Sequence, residues 1–163
     1  MRHSFRKRWG QNFLQDPNII SKIIKASQPC EDDVYVEIGP GQGALTFPLA
    51  EKVKKVYAVE IDPELIPDLV SNAQDNLDII QADFLKLESD RFESPVKYIG
   101  NLPYYITTPI IFKILENLNW TNALFMVQKE VAQRMVSAPG NKIYGRLSVM
   151  LQAYASVEKL FDV

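Results

Sequence analysis

The tetrapeptide Asn101-Leu102-Pro103-Tyr104 holds residue types that could activate a poor amine nucleophile. The exocyclic amine of a purine is unreactive because its lone pair is delocalised into the ring. Two acceptors aimed at its hydrogens, the Asn101 side-chain oxygen and a backbone carbonyl, favour the tetrahedral amine that can attack an electrophile. The Leu102-Pro103 segment can offer that carbonyl, and proline fixes its direction. Tyr104 can then stack on the base and hold it in line. Taken alone, the same four residues are also compatible with a turn that ends a strand and buries its tyrosine. Three further segments favour the chemical reading. In Glu37-Ile38-Gly39-Pro40-Gly41-Gln42-Gly43 the glycines allow positive φ and let a ligand approach the backbone. Glu60, nineteen residues beyond Gly41, is a carboxylate suited to both hydroxyls of a ribose. Asp83-Phe84 sets an acid beside an aromatic, suited to an adenine amino group and ring face. A glycine-rich turn by itself can be no more than a tight link from strand to helix. Combined with carboxylates at two further strand ends, it points to a nucleoside-like ligand, and its lack of a lysine argues against a Walker phosphate loop.

The elements that must position these residues are legible as an alternation. Asp16-Pro17 is an N-cap followed by proline at the first helical position, with Ile19, Ile20, Ile23 and Ile24 at helical spacing to about Ser27. Val34 to Ile38 is a β-branched run ending in glycines and reads as a buried strand. A helix is expected over 44–52, a strand over 55–60 and a helix from Asp62-Pro63 to about Gln74. Strand signals recur over 77–81, 96–101 and 123–128, with a last short strand near 157–161. Helices are expected over 108–118, 129–136 and 146–154. Strands alternating with helices indicate a parallel α/β sheet whose ligand sits at the carboxyl ends of the strands, around the topological switch point.

Taken together the motifs resemble one family. Gly10-Gln11-Asn12-Phe13-Leu14, Val36-Glu37-Ile38-Gly39-Pro40-Gly41, Glu60-Ile61-Asp62, Gln81-Ala82-Asp83 and Asn101-Leu102-Pro103-Tyr104 with Ile106 and Thr108-Pro109 all match it. So do Gln128-Lys129-Glu130-Val131 and Tyr144-Gly145-Arg146-Leu147-Ser148. The chain, from about Arg6 to its last residue, is similar to the KsgA family of ribosomal RNA adenine N6,N6-dimethyltransferases, which use S-adenosylmethionine. The resemblance implies a Rossmann-like class I methyltransferase fold, α/β, with a mostly parallel sheet flanked by helices. It implies that Asn12, Leu14, Gly39, Glu60, Asp83 and Asn101 line the cofactor pocket, with Gly41 in the same turn. It also implies that Asn101 and Tyr104 position the target adenine, in the setting of Leu102 and Pro103. Family members methylate two adjacent adenines near the 3′ end of small-subunit ribosomal RNA, on an assembling subunit. They also continue into a Phe-x-Pro segment, a last strand and a small helical domain that this sequence does not contain, so the expectation is either a fragment or a minimal relative, with a methyltransferase domain truncated at its C-terminus over 16–163 behind a basic arm over 1–15.

Composition sets the outer bounds. At 163 residues the chain suits one domain, and 47% hydrophobic against 23% charged residues excludes a disordered one. No apolar run approaches the ~20 residues of a membrane span, and the expected compartment is the cytoplasm. Cys30 and His3 are single, which excludes a disulfide framework, a Cys/His zinc site and Ser-His or Cys-His catalysis; no metal is expected. The net charge of −2 conceals an asymmetry: +5 over residues 1–25, −10 over 31–93 and +3 over 97–163. Basic residues interleaved with aromatics and amides suggest a polyanion partner. Arg6, Lys7 and Arg8 in the arm, with Lys129, Arg134 and Arg146 further on, are the candidates to meet RNA. An acid-free arm also resembles an organelle transit peptide. Other readings are an erythromycin-resistance methyltransferase of large-subunit RNA, a non-catalytic RNA-binding assembly factor of the same fold, and a nicotinamide-dependent dehydrogenase. Glu60, Asp83, Asn101 and Tyr104 together speak against a pure binder, and no obvious acid/base residue serves a dehydrogenase.

Overall fold

The computed structural model describes residues 13–163 apart from Ser94 and Leu118. Asp16 caps the first helix, α1 (Pro17–Ala26), by accepting a 2.8 Å hydrogen bond from the Asn18 N–H, with Pro17 at the first helical position. The alternation continues as β1 (Val34–Ile38), α2 (Thr46–Ala50), β2 (Lys55–Glu60), α3 (Ile66–Ser71), β3 (Leu77–Gln81), β4 (Val96–Asn101), α4 (Thr107–Glu116), β5 (Trp120–Met126), α5 (Lys129–Met135) and α6 (Arg146–Tyr154).

All neighbouring strands are parallel, in the order β3-β2-β1-β4-β5. The chain therefore winds one way from β1 to β3 and then crosses back to β4, so the switch point lies between β1 and β4. β1 is buried at all five positions, as a central strand covered on both faces must be. One core layer joins α1 and α2 to the sheet through Ile23, Ile24, Leu45 and Leu49. The opposite layer packs Ile110 and Ile114 of α4 with Phe84 and Phe92 against Val36, Ile38 and Tyr98. This is the Rossmann-like methyltransferase architecture expected from the sequence. Among the described residues no helix is long and apolar enough to cross a membrane.

Three expectations need correction. The helices expected over 44–52 and 62–74 are shorter at both ends; their later starts set Pro48 and Pro67, which have no N–H to donate, in the first turn. The strand expected over 123–128 begins earlier, at Trp120, and ends at Met126. The strand expected over 157–161 is not formed, since residues 155–163 carry no regular structure. Their apolar side chains find cover without backbone pairing: Val157 packs with α4 and α6, and Phe161 lies under the Lys22 ammonium, 4.0 Å from its ring centre.

Candidate active site

The ends of all five strands, β5 through Met126 to Gln128, open into one cleft of about 560 Å³, within the usual size of a small-ligand site. It is lined by Glu37, Gly39 and Gly41 after β1, Glu60 after β2, Asp83 after β3, and Asn101 to Tyr105 after β4, with Phe13 and Leu14 closing one side. A larger hollow of about 920 Å³ lies beside β5, among α4, α6 and residues 155–163. It is predominantly apolar and touches none of the strand ends that carry the glycine turn or the carboxylates.

The turn after β1 is shaped by its glycines. Gly41 has φ +60°, a backbone conformation that strains any side chain, and a Cβ there would stand 3.1 Å from the Phe13 ring, which would have to move back by a few tenths of an ångström. Glu60 fastens this turn. Its Oε2 accepts the Gly41 N–H at 3.0 Å and its Oε1 accepts the Asp62 N–H at 2.9 Å, while the residue is 1% exposed. Burial raises its pKa and the backbone donors oppose that rise. The carboxylate, an acceptor with about four lone-pair sites, keeps acceptor capacity beyond these two bonds, which is what a ribose hydroxyl would need.

Asp83 caps a short 3₁₀ turn (Phe84–Lys86), accepting the Leu85 N–H at 3.0 Å, with Lys86 Nζ 3.8 Å from its other oxygen. Phe84 differs from expectation. Its ring is 7% exposed and packs edge-on against Tyr98 at 5.9 Å, so the face expected to stack on a ligand is largely committed to the core.

After β4 the chain turns sharply. Leu102 is buried and its N–H donates to the Met126 carbonyl at 3.0 Å, which fixes the end of β4 against β5. The Pro103 carbonyl accepts both the Ile106 N–H at 3.2 Å and the Thr107 hydroxyl at 3.0 Å. Of the two carbonyls in this segment, Pro103's is therefore engaged by the start of α4. Tyr104 is not in the core: it is 61% exposed at the cleft mouth, edge-on to Tyr105 at 5.9 Å.

Of the residues expected from the sequence, Leu14, Gly39, Gly41, Glu60, Asp83, Asn101, Leu102, Pro103 and Tyr104 converge on this cleft. Asn12 lies outside the described residues, as do Arg6, Lys7 and Arg8. Lys129, Arg134 and Arg146 are exposed on α5 and α6, the first 3.8 Å from Asp162 and the last over the Phe112 ring at 5.5 Å. Among the lining residues given no role from the sequence are Phe13, Glu37 and Tyr105. Phe13 was visible only as part of a motif, and Glu37 only at the head of the glycine segment, although an acid inside Val-Tyr-Val-Glu-Ile is itself a signal.

Known proteins resemble this chain in sequence and in fold. The chain is 48% identical to the ribosomal RNA small subunit methyltransferase A of Legionella pneumophila (strain Lens) over 166 residues, covering 100% of this chain and 65% of that protein. The enzyme of the same name from Aromatoleum aromaticum is 48% identical, with coverage of 99% and 62%. The chain thus spans about 65% or less of the length of these curated relatives. Among solved structures, a dimethyladenosine transferase from Plasmodium falciparum superposes with a TM-score of 0.77 at 32% identity, covering 86% of this chain and 52% of that one. The 23S rRNA methyltransferase ErmE gives 0.70 at 32% identity, with coverage of 86% and 55%. The family model described as ribosomal RNA adenine dimethylase matches residues 2–163, and the chain belongs to that family.

Proposed function

We propose that this chain transfers methyl groups from S-adenosylmethionine to the N6 amines of two adjacent adenines near the 3′ end of small-subunit ribosomal RNA, on an assembling subunit in the cytoplasm. The observation that carries the reading is the convergence of Glu60, Asp83 and Asn101 with an exposed Tyr104 on one cleft at the switch point. The residues fit the cofactor: Glu60 has lone pairs left for ribose hydroxyls, and Glu37 offers a buried oxygen without a partner. Gly39, Gly41, Glu60, Asp83, Leu14 and, in the arm, Asn12 would hold it. When bound, it supplies an electrophilic methyl group on a cationic sulfur.

The protein's share of the reaction is orientation and polarity. The Asn101 oxygen and the Leu102 carbonyl accept from the two hydrogens of the amine and localise its lone pair. Pro103 fixes the direction of that carbonyl, and the Tyr104 ring stacks on the base. No general base of matched pKa is needed, because the amine becomes strongly acidic only once methylated and gives its proton to water. Lys129, Arg134 and Arg146, with Arg6, Lys7 and Arg8, are the proposed phosphate contacts.

The test is transfer of tritiated methyl groups to small-subunit particles and, separately, to large-subunit RNA, with the labelled nucleoside identified. N6,N6-dimethyladenosine in small-subunit RNA is the expected product. Label confined to large-subunit RNA would favour the activity named for the ErmE structure.

A further inference from the structure

Two carboxyl groups are buried in the cleft, and their surroundings differ. Glu60 is held by two backbone N–H groups at 2.9 and 3.0 Å. Glu37, 2% exposed at the end of β1, has its Oε2 buried without a hydrogen-bond partner among the described residues. Its register neighbours are the apolar Ala58 on β2 and Ile99 on β4. From α2 it meets Thr46, whose hydroxyl is also buried and lacks a partner of normal geometry. The charged group that acts on Glu37 is Glu60, of its own sign, and among the described residues no lysine or arginine does so. With that oxygen buried, apolar register neighbours on both flanking strands and no cation acting on it among the described residues, the carboxylate's charge is costly. The remaining wall is the cleft itself.

We infer that Glu37 is a proton-linked specificity residue of the cleft: protonated in the empty cleft on the acid side of neutrality, it ionises when a cationic nucleoside such as S-adenosylmethionine enters. The inference deepens the methyl-donor reading above and rests on it. The carboxyl O–H bond breaks, the proton leaves to water or buffer, and the electron pair remains as a carboxylate charge facing the ligand's positive charge. Burial, reinforced by Glu60 and opposed by Thr46, raises the Glu37 pKa to about 7, so the exchange falls in the neutral range. A neutral nucleoside supplies no charge to offset the ionisation and releases no proton.

The test is isothermal titration of S-adenosylmethionine into the chain at pH 6 and pH 8, each in two buffers of widely different ionisation enthalpy. The release attributable to Glu37 is the difference between wild type and Glu37→Gln, and it should be about one proton at pH 6 and about a tenth of one at pH 8. Wild-type affinity should be about tenfold weaker at pH 6 than at pH 8, a change that Glu37→Gln removes. Heats independent of buffer at pH 6, or release that persists in Glu37→Gln, would overturn the inference while leaving the methyl-donor reading intact. No binding at either pH would overturn both. Should Glu37→Gln fail to fold, carbon-13 titration of the wild-type glutamate carboxyls decides: a midpoint near pH 7 that S-adenosylmethionine lowers supports the inference, and one in the ordinary carboxylate range defeats it.

Discussion

Each oxygen of Glu60 already holds a backbone N–H, so its side chain is both a fastening for the glycine turn and the proposed ribose acceptor. Charge-assisted hydrogen bonds removed from a buried site cost about 1.5–3 kcal/mol each. Glu60→Ala is therefore expected to weaken S-adenosylmethionine binding at least tenfold by calorimetry and to lower the melting temperature as well. Unchanged affinity would remove Glu60 from the site. Glu37 makes a separate prediction about the unliganded protein. Its folded-state pKa of about 7 lies above the unfolded value of 4.5, so the folded form keeps a proton that the unfolded form has lost between those values. The associated stability is fully present below pH ~4.5 and is lost as pH rises through 7; at about 1.4 kcal/mol per unit it amounts to roughly 3 kcal/mol. Thermal melts of the unliganded chain should fall from pH 5 to pH 8, and Glu37→Gln should flatten that fall. Tyr104, exposed at the cleft mouth, should tolerate Tyr104→Phe with most methyl transfer retained, whereas Tyr104→Ala loses stacking worth roughly 1–3 kcal/mol. Equal loss in both variants would give the hydroxyl a chemical role.

Between the strands, the tightest approach beside the site is at Gly100, where a Cβ would lie 2.5 Å from the Ile38 carbonyl oxygen. That obstacle is backbone and cannot swing aside, so Gly100→Ala must separate β4 from β1 immediately before Asn101. A loss of about 1–3 kcal/mol in denaturant unfolding is expected, together with a larger relative loss of methyl transfer; an unchanged unfolding midpoint would contradict this packing. The strands β2, β3 and β4 were legible to the residue because β-branched runs are bounded there by turn formers. The starts of α2 and α3 were not, since a periodic pattern does not register the N–H that Pro48 and Pro67 lack. Phe84 shows the same limit from the other side: sequence places an aromatic at a strand end, and only packing against Tyr98 decides which way its ring turns. The residues around Asn101 were legible because their chemistry depends on type and order within a single turn. Glu37 was not, because its significance lies in what β2, β4 and α2 fail to offer it.

Charge is distributed over the whole molecule in blocks, with an acidic middle between basic ends. Lys129, Arg134 and Arg146 stand on the two helices that follow β5, and the proposed RNA interface runs through them. Replacing the three with alanine should flatten the log–log salt dependence of RNA affinity by about 0.7 for each phosphate no longer neutralised; an unchanged slope would make them a solvated surface. The central claim, however, is that the end of β4 acts on an amine delivered to this cleft. It is tested most directly by single-turnover transfer of tritiated methyl groups to small-subunit particles by wild type and Asn101→Ala, with RNA affinity measured in parallel. Removal of one well-placed polar group acting on the transition state should slow transfer by on the order of 10²–10³ while RNA binding survives. An Asn101→Ala variant that methylates at the wild-type rate would contradict the account and move the chemistry away from β4.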